Sequence, residues 1–250
     1  MRPNKLKQIW ASGKASVDCW LMLPSAISAE LLAHQGWDSL TIDCEHGQAD
    51  HAGMVQILTA ISTSDAMPLV RVKWNDPGDI MRALDSGAYG VICPMIETVE
   101  ECEKFVGACR YFPRGYRSFG PRRAVIYGGD DYLEHADDTV LTIAQIETLK
   151  GLQNIDAIAA VPELDMIFLG PNDMRITMGM KPRMKLEEPE ILAVCEQVVT
   201  AAKKAGIRSG MFCMNVEDAQ RMIDMGFDHV TAILDDVLLS AGAAMRQQLR

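Results

Sequence analysis

The seven residues from Thr41 to Gly47, Thr-Ile-Asp-Cys-Glu-His-Gly, change character in mid-run. A β-type apolar stretch, Leu40 to Ile42, gives way to Asp43, Glu45 and His46 beside Gly47. That set is too polar for a core and too compact for a solvated charge run. Two carboxylates and an imidazole at a strand end can perform acid–base or metal chemistry, and they can equally cap the next helix. Further on, Arg71 closes an apolar run with Lys73 two residues later, Gln145-Ile-Glu147 follows another, and Met166-Ile-Phe-Leu-Gly170 runs into Pro171-Asn172-Asp173. Glu147 and Asp173 offer carboxylate oxygens to a hard divalent cation, with positions left for water and substrate. Arg71 could aim a fork of donors at a carboxylate or a developing enolate. His46 backed by Asp43 has the pairing of a general base with its orienting acid. Gly170-Pro171 supplies a tight turn that would direct the amides of Asn172 and Asp173 at an anionic ligand. Lys73 as a Schiff-base nucleophile is the metal-free alternative, and Cys44 reads as a bystander.

These residues need a frame that brings strand ends together. Short β-rich apolar runs predict eight strands: Asp18–Leu23, Ser39–Asp43, Leu69–Val72, Gly90–Pro94, Val140–Gln145, Asp165–Leu169, Arg208–Met211 and His229–Ala232. Helical patterns separate them at Ser25–Gln35, Asp50–Ser64, Pro77–Ser86, Val99–Cys109, Leu149–Ala160, Glu188–Lys204, Val216–Met225 and from Leu234 onward. Asp76-Pro77, Thr98 with Glu101, and Asn215 punctuate helix starts. Gly36, Gly87 and Gly226 sit where a helix must turn into a strand. Eight alternations in 250 residues are the arithmetic of an α/β fold, a (β/α)8 TIM barrel forming one domain over residues 1–250. A dinucleotide-binding open sheet lacks its Gly-x-Gly-x-x-Gly after the first strand. In a barrel, sites form at the carboxyl ends of strands, where the four polar groups above fall. Two long connections, Arg110–Asp130 and Gly170–Glu187, are both expected on that face. The run Arg117 to Arg123 would then guard the mouth or pair across an interface.

The bulk numbers narrow the partners. A net charge of −10 argues against nucleic acid and against an anionic membrane surface, so an anionic ligand would need local positive charge. No run approaches the roughly 18 apolar residues of a membrane span, and the first ten residues carry no apolar core of signal-peptide length. Seven cysteines, an odd count without a Cys-x-x-Cys pair, read as reduced core thiols of a cytoplasmic protein. Sixteen methionines read as core filling. His34, His51, His135 and His229 show no ligand spacing.

Asp-x-Glu-His at 43–46, Val-Arg at 70–71, Gln-x-Glu at 145–147 and Gly-Pro-x-Asp at 170–173 resemble the HpcH/HpaI family of class II pyruvate aldolases. Asn4-Lys-Leu-Lys, Gly13-Lys, Trp74-Asn-Asp and Tyr116-Arg-Ser-Phe-Gly-Pro-Arg-Arg extend the resemblance over essentially the whole chain. It implies a metal-dependent aldolase that cleaves 4-hydroxy-2-oxo acids to pyruvate, or hydroxypyruvate, and an aldehyde. Glu147 and Asp173 would bind Mg²⁺, Mn²⁺ or a similar ion such as Co²⁺ or Zn²⁺. Arg71 would stabilise the enolate oxygen. His46, held by Asp43, would work with a water carried by the ion, and Glu45 would support the loop or that water. Gly170, Pro171, Asn172 and Asp173 would line the substrate's place. The family resemblance also implies a homo-hexamer with the last helix exchanged between neighbours, which suits Leu234, Val237, Leu238, Ala241, Met245 and Leu249 on one face. Related enolate chemistry (oxaloacetate decarboxylation or an acyl-CoA lyase) and a non-catalytic oxo-acid-binding barrel are the alternatives. Two departures stand out. Gly47-Gln48 replaces a frequent Ala-Pro, and Gly170-Pro-Asn-Asp-Met-Arg175 replaces Gly-Pro-Ala-Asp-Leu-Ser, with Arg175 expected in solvent.

Overall fold

The computed structural model describes residues 1–247. Eight parallel strands close in sequence order into a barrel: β1 Ser16–Leu21, β2 Ser39–Asp43, β3 Met67–Arg71, β4 Gly90–Cys93, β5 Leu141–Ile146, β6 Met166–Leu169, β7 Arg208–Met211 and β8 His229–Leu234. Nearly every strand residue is buried, because the lumen covers one face and the outer helices the other. The fold is the expected (β/α)8 barrel.

Two apolar layers hold it. One lies between barrel and helices, and the other fills the lumen with Met67, Leu69, Ile92, Leu141, Ile143, Met166 and Phe168. Trp20 crowns the lumen, stacked on Phe168 with ring centroids 5.9 Å apart. One side of the lumen is polar. Asp18 accepts from Ser39 Oγ at 2.6 Å and Thr41 Oγ1 at 3.0 Å, with no cation among the described residues against it, and burial lifts its acid well above the usual carboxylate range.

Strand and helix ends shift by one to three residues, for local reasons. β1 begins at Ser16 because the polar Ser16 and Asp18 point inward and find partners there: Trp10 Nε1 donates to Ser16 Oγ at 2.9 Å. β3 begins at Met67, before a proline whose carbonyl still accepts from Tyr89. The segment Leu149–Ala160 breaks at Asn154, whose side chain leaves the helix to donate to Glu97 O at 2.8 Å. The caps hold as expected: Asp76 before Pro77, the Thr98–Glu101 capping box, and Asn215. Gly36, Gly87 and Gly226 all adopt positive φ. Four short helices, Lys5–Ala11, Arg122–Gly128, Tyr132–Thr139 and Pro171–Thr177, come in addition to those the periodicity marks.

The Arg110–Asp130 connection is not a βα loop. It follows the helix Val99–Cys109 and leads into β5, so it lies on the amino-terminal face, away from the strand ends that carry Glu147 and Asp173. Arg110 donates to Val140 O at 3.1 Å and Asp165 Oδ2 at 2.9 Å. Arg117 reaches Asp85 at 2.8 Å and lies over the Tyr111 ring. Arg123 reaches Ser86 O and Leu58 O, the carbonyl ends of two helices. These arginines close the underside rather than guard the mouth. With the helix Lys5–Ala11, whose cap Asn4 donates to Thr139 O, they seal it.

The last helix, Val237–Gln247, leaves the barrel with residues 240–247 exposed. Leu234 is not on it; it ends β8 and is buried. Leu249 and the side chain of Leu238 lie outside the described residues. No described helix is long and apolar enough to cross a membrane.

Candidate active site

A cavity of about 250 Å³ opens at the carboxyl ends of the strands. Asp43, His46, Arg71, Glu147, Gly170, Pro171, Asn172 and Asp173 line it, so the residues read from sequence as catalytic, metal-binding or substrate-binding meet in one place. Glu45 is not on the lining but packs beside Arg71, with Arg71 Nη1 and Glu45 Oε2 3.0 Å apart. Sequence reasoning missed the rest of the wall: Trp20, Met22, Gln145, Phe212, Met214 and Leu234. Strand alternation would have found Trp20, two residues after the inward Asp18. Gln145 lay inside the quoted Gln-x-Glu motif.

Asp43, the last residue of β2, is fully buried and its carboxylate is saturated. It accepts from Arg71 Nε at 3.1 Å and Nη2 at 2.5 Å, from Trp20 Nε1 at 3.1 Å, and from the backbone N–H of Glu45 and His46 at 3.0 and 3.1 Å. Burial pushes this acid up, but Arg71, Trp20 and the His46 amide outweigh burial and hold it below its ordinary value. The expected pairing of Asp43 with the His46 ring therefore needs correction. Asp43 orients Arg71 and holds the His46 backbone. The imidazole itself is 61% exposed, its nearest acid Glu45 Oε1 at 3.9 Å. Gly47 follows for a steric reason: a Cβ there would overlap the Asp43 carbonyl, so an alanine at this place requires a different loop path.

Glu147 stands just past β5, 3% exposed. Met95 N–H donates to Oε1 at 2.8 Å and Gln145 Nε2 to Oε2 at 2.5 Å. Met95 adopts φ +56° to aim that amide, a conformation L residues rarely take. Burial, with the charges of Glu45 and Asp173 adding to it, pushes Glu147 up to about 7 against those two hydrogen bonds. Glu45 is pushed up to about 6 by burial, with Arg71 opposing and Asp43 and Asp173 adding. Glu45 and Asp173 are thus close enough for their charges to act on Glu147.

The donors fit a hard divalent cation. Glu147 and Asp173 supply oxygen ligands whose mutual repulsion a cation would relieve. Gln145 Oε1 is buried without a hydrogen-bond partner beside them. Gly170 leaves room against Glu147, since a Cβ there would overlap Glu147 Oε2. Among the described residues no group of three or more His, Cys, Asp or Glu could hold a metal, so an ion would keep open positions for small ligands. No side chain caps the first turn of the helix Pro171–Thr177, which starts at the cavity.

Two expected residues lie elsewhere. Lys73 is exposed beyond the end of β3 and faces a separate hollow with Cys44, between the helices His51–Ile61 and Pro77–Asp85. It does not share the face of Arg71, because the chain leaves the strand at Arg71. Cys44 in that hollow is pushed up to about 12 by burial, so it is an inert thiol at neutral pH. Arg175, expected in solvent, is fully buried.

The geometry has close counterparts. A family model described as HpcH/HpaI aldolase/citrate lyase matches residues 17–239. The chain is 41% identical over 240 residues to a hydroxypyruvate/pyruvate aldolase of Rhizorhabdus wittichii, covering 96% of each. It is 34% identical to a 4-hydroxy-2-oxo-heptane-1,7-dioate aldolase of Shigella flexneri, over 96% of this chain and 90% of that one. The crystal structure of a HpcH/HpaI aldolase/citrate lyase family protein from Burkholderia cenocepacia superposes with a TM-score of 0.91, at 32% identity and 99% coverage of both.

Proposed function

The chain belongs to the HpcH/HpaI aldolase/citrate lyase family and is a carbon–carbon lyase; from that premise we propose a metal-dependent aldolase acting on 4-hydroxy-2-oxo acids. It would release pyruvate or hydroxypyruvate and an aldehyde, and run in reverse. The observation that carries this reading is the meeting of Glu147, Asp173 and Arg71 on one cavity. An aldol cleavage must stabilise an enolate at neutral pH, and that takes positive charge where the oxygen anion develops.

A divalent ion held by Glu147 and Asp173 would supply much of that charge; oxygen donors favour Mg²⁺ or Mn²⁺ over Co²⁺ or Zn²⁺. Arg71, on the cavity wall between Asp43 and Glu45, would direct its remaining N–H hydrogens at the oxo acid. Asp43 fixes the guanidinium plane, and the Trp20 ring, 5.0 Å from its carbon, backs it. Trp20 and Phe212 form a dry wall that keeps water from the enolate carbon. His46, exposed at the rim, moves the proton of the aldehyde-side hydroxyl. Glu45, with its acid near 6, takes part in the same proton traffic. Residues 1–250 act as one barrel domain in this reading, in the cytoplasm, where the seven free thiols stay reduced.

The test is aldol addition with pyruvate and hydroxypyruvate as donors against short aldehydes. EDTA stripping abolishes turnover, Mg²⁺ or Mn²⁺ restores it, and borohydride traps no pyruvate on Lys73, which stands outside the cavity. Turnover that survives EDTA together with a covalent adduct overturns the proposal. Oxo-acid binding without turnover of any substrate supports a binding barrel instead.

The exposed terminal helix supports assembly. Its residues 240–247 are exposed, and the proposed hexamer would bury them on a neighbouring copy. Sedimentation velocity is expected to show a hexamer that Val237→Asp and Met245→Asp together dissociate. A monomer at micromolar concentration overturns this.

A further inference from the structure

Arg175 is two residues past Asp173 on the helix Pro171–Thr177, with its side chain fully buried. A buried guanidinium is costly unless its donors are answered. Here Nη1 donates to Asn172 Oδ1 at 3.0 Å and Arg183 O at 3.2 Å, while Nη2 donates to Lys185 O at 2.6 Å and Glu188 Oε2 at 2.8 Å. Asn172 Oδ1 also accepts the Arg183 N–H at 3.2 Å. One planar group therefore ties three pieces together. These are the turn that starts the helix, the irregular connection Met178–Glu188, and the head of the next helix, Pro189–Ala205.

Asn172 and Asp173 line the cavity side by side. With Asn172 held from below, the first turn cannot rotate without breaking the Arg175 fork. We propose that Arg175 is a positioning residue for the cation site: through Asn172 it locks the Gly170–Asp173 turn and so fixes the Asp173 carboxylate opposite Glu147. The proposal rests on Glu147 and Asp173 being the ion's ligands. The competing account, that Arg175 only neutralises Glu188, makes different predictions. A lysine keeps a charge near Glu188 but cannot span Asn172 and the two loop carbonyls at once.

The experiment titrates the full chain with Mn²⁺ alone and follows amide hydrogen exchange over residues 170–177. Arg175→Lys and Asn172→Ala are each expected to raise the Mn²⁺ Kd by about tenfold or more, as loss of a group that orients a metal ligand does. The double variant is expected to bind no more weakly than the weaker single one, because both cut one connection. Glu188→Gln keeps an acceptor for Arg175 and is expected to leave the Kd unchanged while lowering Tm. Exchange over 170–177 should quicken in Arg175→Lys and not in Glu188→Gln. An unchanged Kd in folded Arg175→Lys, additive losses in the double variant, or equal weakening by Glu188→Gln overturns the proposal. Where Arg175→Lys does not fold, Asn172→Ala against Glu188→Gln decides it on the same readouts. If the unmodified protein binds no Mn²⁺, the ligand assignment itself falls, and the exchange rates still decide whether Arg175 locks the turn.

Discussion

Replacing Arg71 by lysine is expected to slow proton exchange at pyruvate C3 by about 10²–10³ while the barrel stays folded. The guanidinium does two jobs at once. Its Nε and one Nη2 hydrogen answer the buried Asp43 carboxylate, Nη1 stands 3.0 Å from Glu45 Oε2, and the group lies on the cavity wall. An ammonium can answer Asp43 or reach an enolate oxygen, but a single point charge cannot hold both geometries. Alanine is the poorer probe, since it strands Asp43 with Trp20 and two amides. Breaking a buried ion pair from one side costs about 3–5 kcal/mol, which would confuse lost chemistry with lost fold. Exchange followed by NMR in deuterium oxide, beside a denaturant titration, separates the two. Parental exchange in a folded Arg71→Lys protein would remove Arg71 from the chemistry.

The second large effect has opposite signs for stability and for function. Glu147→Gln is expected to abolish divalent-ion binding, and with it turnover, yet to stabilise the metal-free protein above neutral pH. Glu147 is raised to about 7 when folded, against an ordinary 4.5. Below 4.5 both folded and unfolded chains hold the proton and pH has no effect through this group. Between 4.5 and about 7 only the folded chain holds it, so stability falls as pH rises. Above 7 both are ionised and the full penalty is paid, about 3 kcal/mol for a carboxylate this buried. Glutamine keeps the shape and removes the ionisation. Denaturation of EDTA-treated proteins should show the two alike near pH 4 and the variant more stable at pH 8, with the gap closing when Mn²⁺ is added to the parent. A parent whose stability relative to the variant does not change between pH 4 and 8 would refute the assignment of Glu147 as a repelled, buried acid.

The barrel was legible in the chain because both periods and punctuation were clean. β2 and β7, and the helices Val99–Cys109 and Val216–Met225, form over the expected residues. Some of the misreadings share one cause: a polar side chain or proline counted against an element whose partner lies far away in sequence. Ser16 looks unfit for a strand until Trp10 is beside it. Arg175 looks solvent-bound until Lys185 and Glu188 fold back over it. The meeting of Asp43, Arg71, Glu147 and Asp173 could be anticipated, since parallel strands leave their carboxyl ends on one rim. How Asp43 divides its bonds could not, because Trp20 and Arg71 compete with the His46 ring for one carboxylate, and only distances decide such a contest. The placement of Arg110–Asp130 failed on bookkeeping of direction, as a loop after a helix arrives at the opposite end of the barrel.

That opposite end has a consequence for how such a chain can change over generations. The underside is closed by the buried Arg110 and Arg117 and the half-buried Arg123, each bonded to groups on other elements, and by the helix Lys5–Ala11. None of these groups is among the described residues that line the cavity. Substitutions along the Met22, Phe212 and Met214 wall can therefore drift without disturbing the groups that close the barrel. A lineage built this way can diversify in appetite while inheriting its foundations unaltered.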